Sequence, residues 1–271
     1  MSDAAAITDR QSRERQYYDE YSRLHPPSPV SAEVIEGTEH RPWNPYWFVA
    51  ELVRVELTTP DKRLLDFGCG PGNYSVQFAR MGFNVHGFDI SPNNVRISRE
   101  LAARHKVSDR TAFVEGAAED LQYPENFFDV IVGIDILHHV DIGPAMHECL
   151  RVLRPGGVAV FKEPVEVPIF DRFRNSAFGT WLVPKTKSFD RHVTEDERKL
   201  VAADLALIRS ITGNMVEHRF RLLTRIEALG IKPRTSRGAS LVEMLDYGVL
   251  SAIPPVRRFG GNVVLVFRKP R

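Results

Sequence analysis

From Lys62 onward, short apolar runs alternate with longer amphipathic stretches, and that rhythm predicts the architecture. Arg63 to Phe67, Asn84 to Phe88, Thr111 to Glu115, Phe128 to Ile134 and Val158 to Lys162 read as strands, most of them buried on both faces. Between them, Gly72 to Met81, a stretch opened by Ser91-Pro92, and Asp141 to Leu153 read as helices. Ser91 suits an N-cap because its hydroxyl accepts from a first-turn N–H. Pro92 suits the first helical position, where its missing N–H would have had no partner. Pro155-Gly156-Gly157 is expected to close the helix before it. Val216 to Leu223 and Asn262 to Phe267 add two more strands, with a helix over Ser240 to Ile253 between them. Strands and helices alternating at this spacing predict an α/β fold with a parallel, doubly wound sheet.

Two regions break the rhythm. Residues 1–60 read as a helical N-terminal segment ahead of the main domain at 61–271. A helix is expected over Arg13 to Leu24, carrying Tyr17, Tyr18 and Tyr21, and the prolines between His25 and Pro29 must end it. Trp43 to Val55 resumes with the apolar face of a second helix. The other break, at about 164–215, is charged and aromatic, and reads as a helical insertion over the active site, with a helix over Glu195 to Ile211. Arg172, Arg174, Lys185, Lys187, Arg191 and His192 make it basic, for which a solvated face is a commoner reason than an anionic substrate.

Composition narrows the classes. Of 271 residues, 43% are hydrophobic, enough for a real core. The net charge of +1 argues against a nucleic-acid groove, which needs a basic excess. Val256-Arg257-Arg258 is a small basic patch that reads more simply as a turn before the last strand. The two cysteines, Cys69 and Cys149, fit a reducing compartment rather than a disulfide framework. Met1 to Arg15 lacks the apolar stretch of a signal peptide, and no run approaches the roughly 20 apolar residues of a membrane span. A cytoplasmic protein is the expectation; oligomeric state is not legible.

The first strand runs into Asp66-Phe67-Gly68-Cys69-Gly70-Pro71-Gly72-Asn73. In a doubly wound sheet, ligands sit at the carboxyl ends of strands where the strand order reverses. Glycines there let the backbone turn and approach a ligand, and the next helix offers free N–H groups. A dinucleotide site would need a third glycine where Asn73 stands.

Leu64-Leu65-Asp66-Phe67-Gly68-Cys69-Gly70-Pro71-Gly72, Gly87-Phe88-Asp89-Ile90-Ser91, Gly116-Ala117-Ala118-Glu119-Asp120-Leu121 with Phe128-Asp129-Val130-Ile131, and Leu150-Arg151-Val152-Leu153-Arg154-Pro155-Gly156-Gly157 together resemble the class I S-adenosylmethionine-dependent methyltransferases. The resemblance spans roughly 62–163. It implies a Rossmann-like sheet of seven strands and S-adenosylmethionine as cofactor. It further implies that Gly68 and Gly70 lie against the methionine part, that Asp66 orders its amino end, and that Asp89 accepts the ribose hydroxyls with Ile90 beside the adenine. Many relatives carry Asp where Ala117 stands, so Ala118 and Glu119 are expected to serve the adenine amino group. Ile134 and Tyr18 complete the expected cofactor contacts, and the resemblance implies that residues 1–60 form a helical lid over the cofactor, with plain packing of these helices against the sheet as the alternative.

For chemistry, the segment after the fourth strand carries Asp135, His138 and His139, and the fifth strand ends in Glu163. Methyl transfer to a hydroxyl needs the acceptor positioned and its proton removed, and histidine is a natural base near neutral pH. His138 and His139 are the candidate bases and Glu163 the candidate orienting acid, an arrangement that resembles sugar O-methyltransferases. The bland alternatives are a structural histidine and a loop cap. Asp135, His138 and His139 also partly match the acids and histidine that ubiquinone-pathway O-methyltransferases place here, which leaves a divalent metal open. The expected acceptor is a small molecule, first a sugar or natural-product hydroxyl. The alternatives are C-methylation of a lipid or quinone, or cofactor binding without catalysis.

Overall fold

The computed structural model describes residues 7–24, 41, 43–59, 61–168, 172, 198–223 and 236–271. The prolines near position 27 and the basic residues from Arg174 to His192 lie outside them. In chain order the elements are α1 (Asp9–Leu24), α2 (Pro45–Arg54), β1 (Arg63–Phe67), α3 (Asn73–Met81), β2 (Asn84–Asp89), α4 (Pro92–Arg104) and β3 (Thr111–Glu115). They continue with β4 (Phe128–Ile134), α5 (Ile142–Val152), β5 (Leu153–Pro164), α6 (Ala202–Thr212), β6 (Val216–Phe220), α7 (Ser236–Ala252) and β7 (Asn262–Arg268).

The seven strands form one open sheet in the order β3-β2-β1-β4-β5-β7-β6. All neighbours pair in parallel except β7, which runs antiparallel to both β5 and β6. Order reverses between β1 and β4, so a crevice opens at their carboxyl ends.

The pleat divides the core in two. Leu65, Ile131, Ala159 and Phe161 face α5 and α6, packing on Met146, Cys149 and Ile208. Leu64, Val130, Val158 and Val160 face the opposite layer of α2, α3 and α4, meeting Val53, Val76 and Val95. Strands buried on both faces are apolar at consecutive positions, and that run is what the sequence displays. Ser91 caps α4 as expected: its side chain accepts from the N–H of Asn94, with Pro92 next.

Three expectations change. β5 begins at Leu153 rather than Val158, because Pro155-Gly156-Gly157 does not end the pairing; Gly156 turns through a left-handed φ of 77° inside the strand. β6 stops at Phe220, where Arg221 takes a left-handed φ of 64° and Asp246 on α7 accepts from the N–H groups of Leu222 and Leu223. The stretch read as an insertion also divides. From Ala202 it is α6, which packs on α5 through Leu205 and Ile208 and serves as an ordinary crossover to β6. Among the described residues, no helix is long and apolar enough to cross a membrane.

Candidate active site

The crevice holds a cavity of about 280 Å³. Its floor is the loop after β1. Gly68 and Gly70 both sit at left-handed φ, 74° and 51°. A Cβ on Gly68 would lie 2.5 Å from the Ile136 side chain, whereas one on Gly70 would meet no protein atom within 4 Å. Gly68 is therefore required by packing, whereas Gly70 is favoured by its left-handed backbone and leaves open space above it. Gly72 has a third reason: its position abuts Ser98 of α4 at 2.8 Å, closing α3 onto α4. With Gly72 in that packing role, the fold needs no further glycine at Asn73.

All nine residues expected at the cofactor line this cavity: Tyr18, Asp66, Gly68, Gly70, Asp89, Ile90, Ala118, Glu119 and Ile134. Asp66 is buried and its Oδ2 accepts from the Ser75 hydroxyl at 2.5 Å. Burial pushes its carboxyl up to about 7, more than the Ser75 hydrogen bond draws it down. Asp89 is buried too, which raises its carboxyl. Its Oδ2 accepts from Gly70 N at 2.9 Å, and its Oδ1 from Ser91 N at 2.9 Å and Asn94 Nδ2 at 3.1 Å. Those three donors take three of its roughly four lone-pair positions, so one remains for a ligand. Glu119 accepts from Gln11 Nε2 of α1 at 2.9 Å and from Asp141 N at 2.8 Å.

The His138, His139 and Glu163 set separates. His139 lines the main cavity. Its Nε2 lies 3.1 Å from the Tyr18 hydroxyl; its Nδ1 lies 3.3 Å from Glu14 Oε2, close enough for an ion pair but without hydrogen-bond alignment. His138 turns away into a smaller hollow. Its Nδ1 pairs with Glu163 Oε2 at 2.6 Å, and Glu163 Oε1 accepts from the N–H groups of Ile136 and Leu137 at 2.9 and 2.8 Å. Glu163 is fully buried and thus both orients a histidine and caps the turn after β4. The histidine it orients is the one outside the main cavity.

Sequence reasoning passed over two groups. Glu14 and Gln11 on α1 line the cavity, yet a polar helix outside any motif gives no sign of where it docks. The other is a part-buried network: Lys162 Nζ donates to Asp135 Oδ1 at 2.6 Å and to the Tyr46 hydroxyl at 3.0 Å, and that hydroxyl donates to Asp135 Oδ2 at 3.0 Å. Burial, with Asp135 adding to it, raises the Tyr46 phenol, so it stays protonated as a donor. Asp135 holds a left-handed φ of 56° that this network fixes in place. A lysine closing the apolar run Val158-Ala159-Val160-Phe161 was the available signal. Asp135, His138 and His139 thus answer to three different neighbours. Among the described residues, no three His, Cys, Asp or Glu side chains converge as a metal site would require.

The cavity is lined by five carboxylates, Glu14, Asp66, Asp89, Glu119 and Asp135, and by no lysine or arginine among the described residues. Such a cavity favours a cationic ligand. Its apolar slot at Phe88, Ile90 and Ala118 suits a flat ring, and the space over Gly70 suits a chain lying on the backbone. The residues therefore fit a positively charged nucleoside with an amino-acid tail.

Known proteins resemble this chain in sequence and in fold. Residues 65–161 match a family model described as a methyltransferase domain. The ubiquinone biosynthesis O-methyltransferase of Sinorhizobium medicae is 34% identical over 151 residues, covering 54% of this chain and 60% of that protein. Its namesake from Agrobacterium fabrum is 30% identical over 173 residues, covering 61% of this chain and 68% of that protein. The chain thus spans under two thirds of the first of these relatives. A crystal structure of geranyl diphosphate C-methyltransferase from Streptomyces coelicolor superposes with a TM-score of 0.59 at 18% identity, covering 98% of this chain and 100% of that one, which supports the fold.

Proposed function

Because the chain belongs to the class I S-adenosylmethionine-dependent methyltransferases, we propose that its cavity binds S-adenosylmethionine and that it methylates a hydroxyl of a small aromatic acceptor of the quinone-precursor type. The observation that carries this reading is the anionic, glycine-floored cavity at the switch point of the sheet. When bound, the cofactor supplies a methyl group on a cationic sulfur. The protein's share is to hold that charge, place the acceptor and take its proton.

Asp66 pairs with the ammonium of the amino-acid tail, and Asp89 offers its remaining acceptor position to the ribose. Ile90 and Ala118 hold the adenine. At the other end, His139 receives the acceptor's proton at Nε2, where the Tyr18 hydroxyl now sits, and Glu14 steadies the resulting imidazolium. Positioning accounts for much of the rate, since a well-placed nucleophile needs little further help.

The acceptor class follows the relatives. Both O-methyltransferases above are named for ubiquinone biosynthesis, which supports the quinone side of the alternatives over a sugar. The test is a product assay with S-adenosylmethionine, using catechols, hydroxybenzoates and free or glycosidic sugars as acceptors, read by mass spectrometry. A methyl ether on a phenol is the expected product. Methylation of sugars alone would overturn the acceptor class, and a new carbon–methyl bond would overturn the choice of oxygen.

A further inference from the structure

Behind the histidine pair lies a second polar hollow of about 120 Å³. Three basic side chains from three elements reach it: Arg10 of α1, His138 of the turn after β4, and Arg198 just ahead of α6. Leu137, Val140 and Ile142 supply apolar walls, and no carboxylate lines it among the described residues.

The neighbouring acids stay outside the hollow, although two of them pair with residues that line it. Asp204 accepts from Arg198 at both oxygens, at 2.5 and 2.8 Å, and its Oδ2 also accepts from Val201 N. Glu163 holds His138 and two backbone N–H groups. Arg10 is different: its Nε is buried with no hydrogen-bond partner. A buried charged donor left unsatisfied is costly, and native structures rarely keep one without a partner. The contrast with the main cavity is sharp, since that one is lined by five carboxylates and this one by none among the described residues. Val140 lines both, so the two hollows lie side by side.

We propose that this hollow is an oxyanion site, in which Arg10 and Arg198 hold a carboxylate or phosphate group beside the His138 ring. The Arg10 guanidinium supplies the donor without a partner, and Arg198, whose terminal nitrogens bind Asp204, adds a second guanidinium beside it. The bound group would also tie α1 to the sheet, since Arg10 reaches the hollow from α1 and His138 from the end of β4. The anion is either a substituent of the acceptor or a free ion.

The experiment titrates the full chain with inorganic phosphate, and separately with acetate, at constant ionic strength. Histidine ring nitrogen NMR and thermal unfolding are the readouts. The expected result is a saturable shift of the His138 signals with a rise in Tm. Arg10→Gln should weaken phosphate binding about tenfold or more. Arg198→Lys, which keeps a cation for Asp204, should weaken it less. No saturable shift, or unchanged phosphate affinity in Arg10→Gln, overturns the proposal. The source is then read kinetically. Competition between phosphate and a hydroxybenzoate acceptor, seen as a raised KM, assigns the group to the acceptor. A change in kcat with a neutral catechol assigns it to a free ion. S-adenosylmethionine binding is measured on the same sample, and its absence would defeat the methyltransferase reading while leaving the anion site standing.

Discussion

Asp66 sets the pH behaviour of the site. Its folded pKa, about 7, stands above the ordinary 3.8, so the folded chain holds this proton more tightly than the unfolded one. The resulting stabilisation is fully present below about pH 3.8 and is lost as pH rises through about 7. An ammonium group beside Asp66 reverses the balance by favouring the carboxylate. Cofactor binding should therefore release a proton and tighten as pH rises through about 7. Calorimetry in buffers of different ionisation enthalpy measures that proton, and a pH-independent affinity without proton release would place the ammonium away from Asp66. The two histidines should also part company. His139→Ala should lower turnover by roughly 10²–10⁴ with cofactor affinity nearly intact. His138→Ala leaves Glu163 without one of its buried partners and should cost roughly 1–3 kcal/mol of stability, read by urea unfolding. Equal kinetic losses in two well-folded variants would contradict their placement in separate hollows.

Among the elements, the loop after β1 and helix α1 control the cavity. Gly68→Ala drives a methyl into Ile136, an overpacking that costs roughly 1–3 kcal/mol, besides roughly 1–2 for the left-handed backbone. Gly70→Ala bears only the backbone cost, yet its methyl projects into the space we assign to the cofactor. Urea unfolding should rank Gly68→Ala as the less stable, while Gly70→Ala should show the specific loss of cofactor binding. Normal cofactor affinity in Gly70→Ala would move the ligand off the loop. Helix α1 is held by its contacts with the cavity rim: Gln11 to Glu119, Tyr18 to His139, and Asp19 to Ser91 and Asn93. A ligand at 100 times its Kd supplies up to about 2.7 kcal/mol to the bound form. Amide exchange in α1 should slow markedly on cofactor addition, and unchanged exchange would show that α1 does not close over the ligand.

At the scale of the whole molecule, the sheet was the most legible feature, because strands buried on both faces announce themselves as apolar runs such as Val130-Ile131-Val132. The loop after β1 was legible for a related reason: left-handed turns at Gly68, Gly70 and Gly72 favour glycine, so backbone geometry is written into residue type. The limits of β5 and β6 were not, since Gly156 and Arg221 are turns whose effect depends on β7 and α7 beside them. Nor could adjacency in sequence show which histidine faces the cavity, because one 3-10 turn after β4 sends His138 and His139 into different hollows. Lys162 stands out as a lysine closing an apolar strand, but its partners Asp135 and Tyr46 come from distant segments, so the network was not legible.

One measurement bears most directly on the account: calorimetric titration of the chain with S-adenosylmethionine, S-adenosylhomocysteine and NAD. Five carboxylates around a glycine floor, with Asn73 after the loop, predict one-site binding of both sulfur nucleosides and none of NAD. Salt should weaken the cationic S-adenosylmethionine more than the product, whose sulfur is neutral. Binding of NAD with no binding of either sulfur nucleoside would contradict the account.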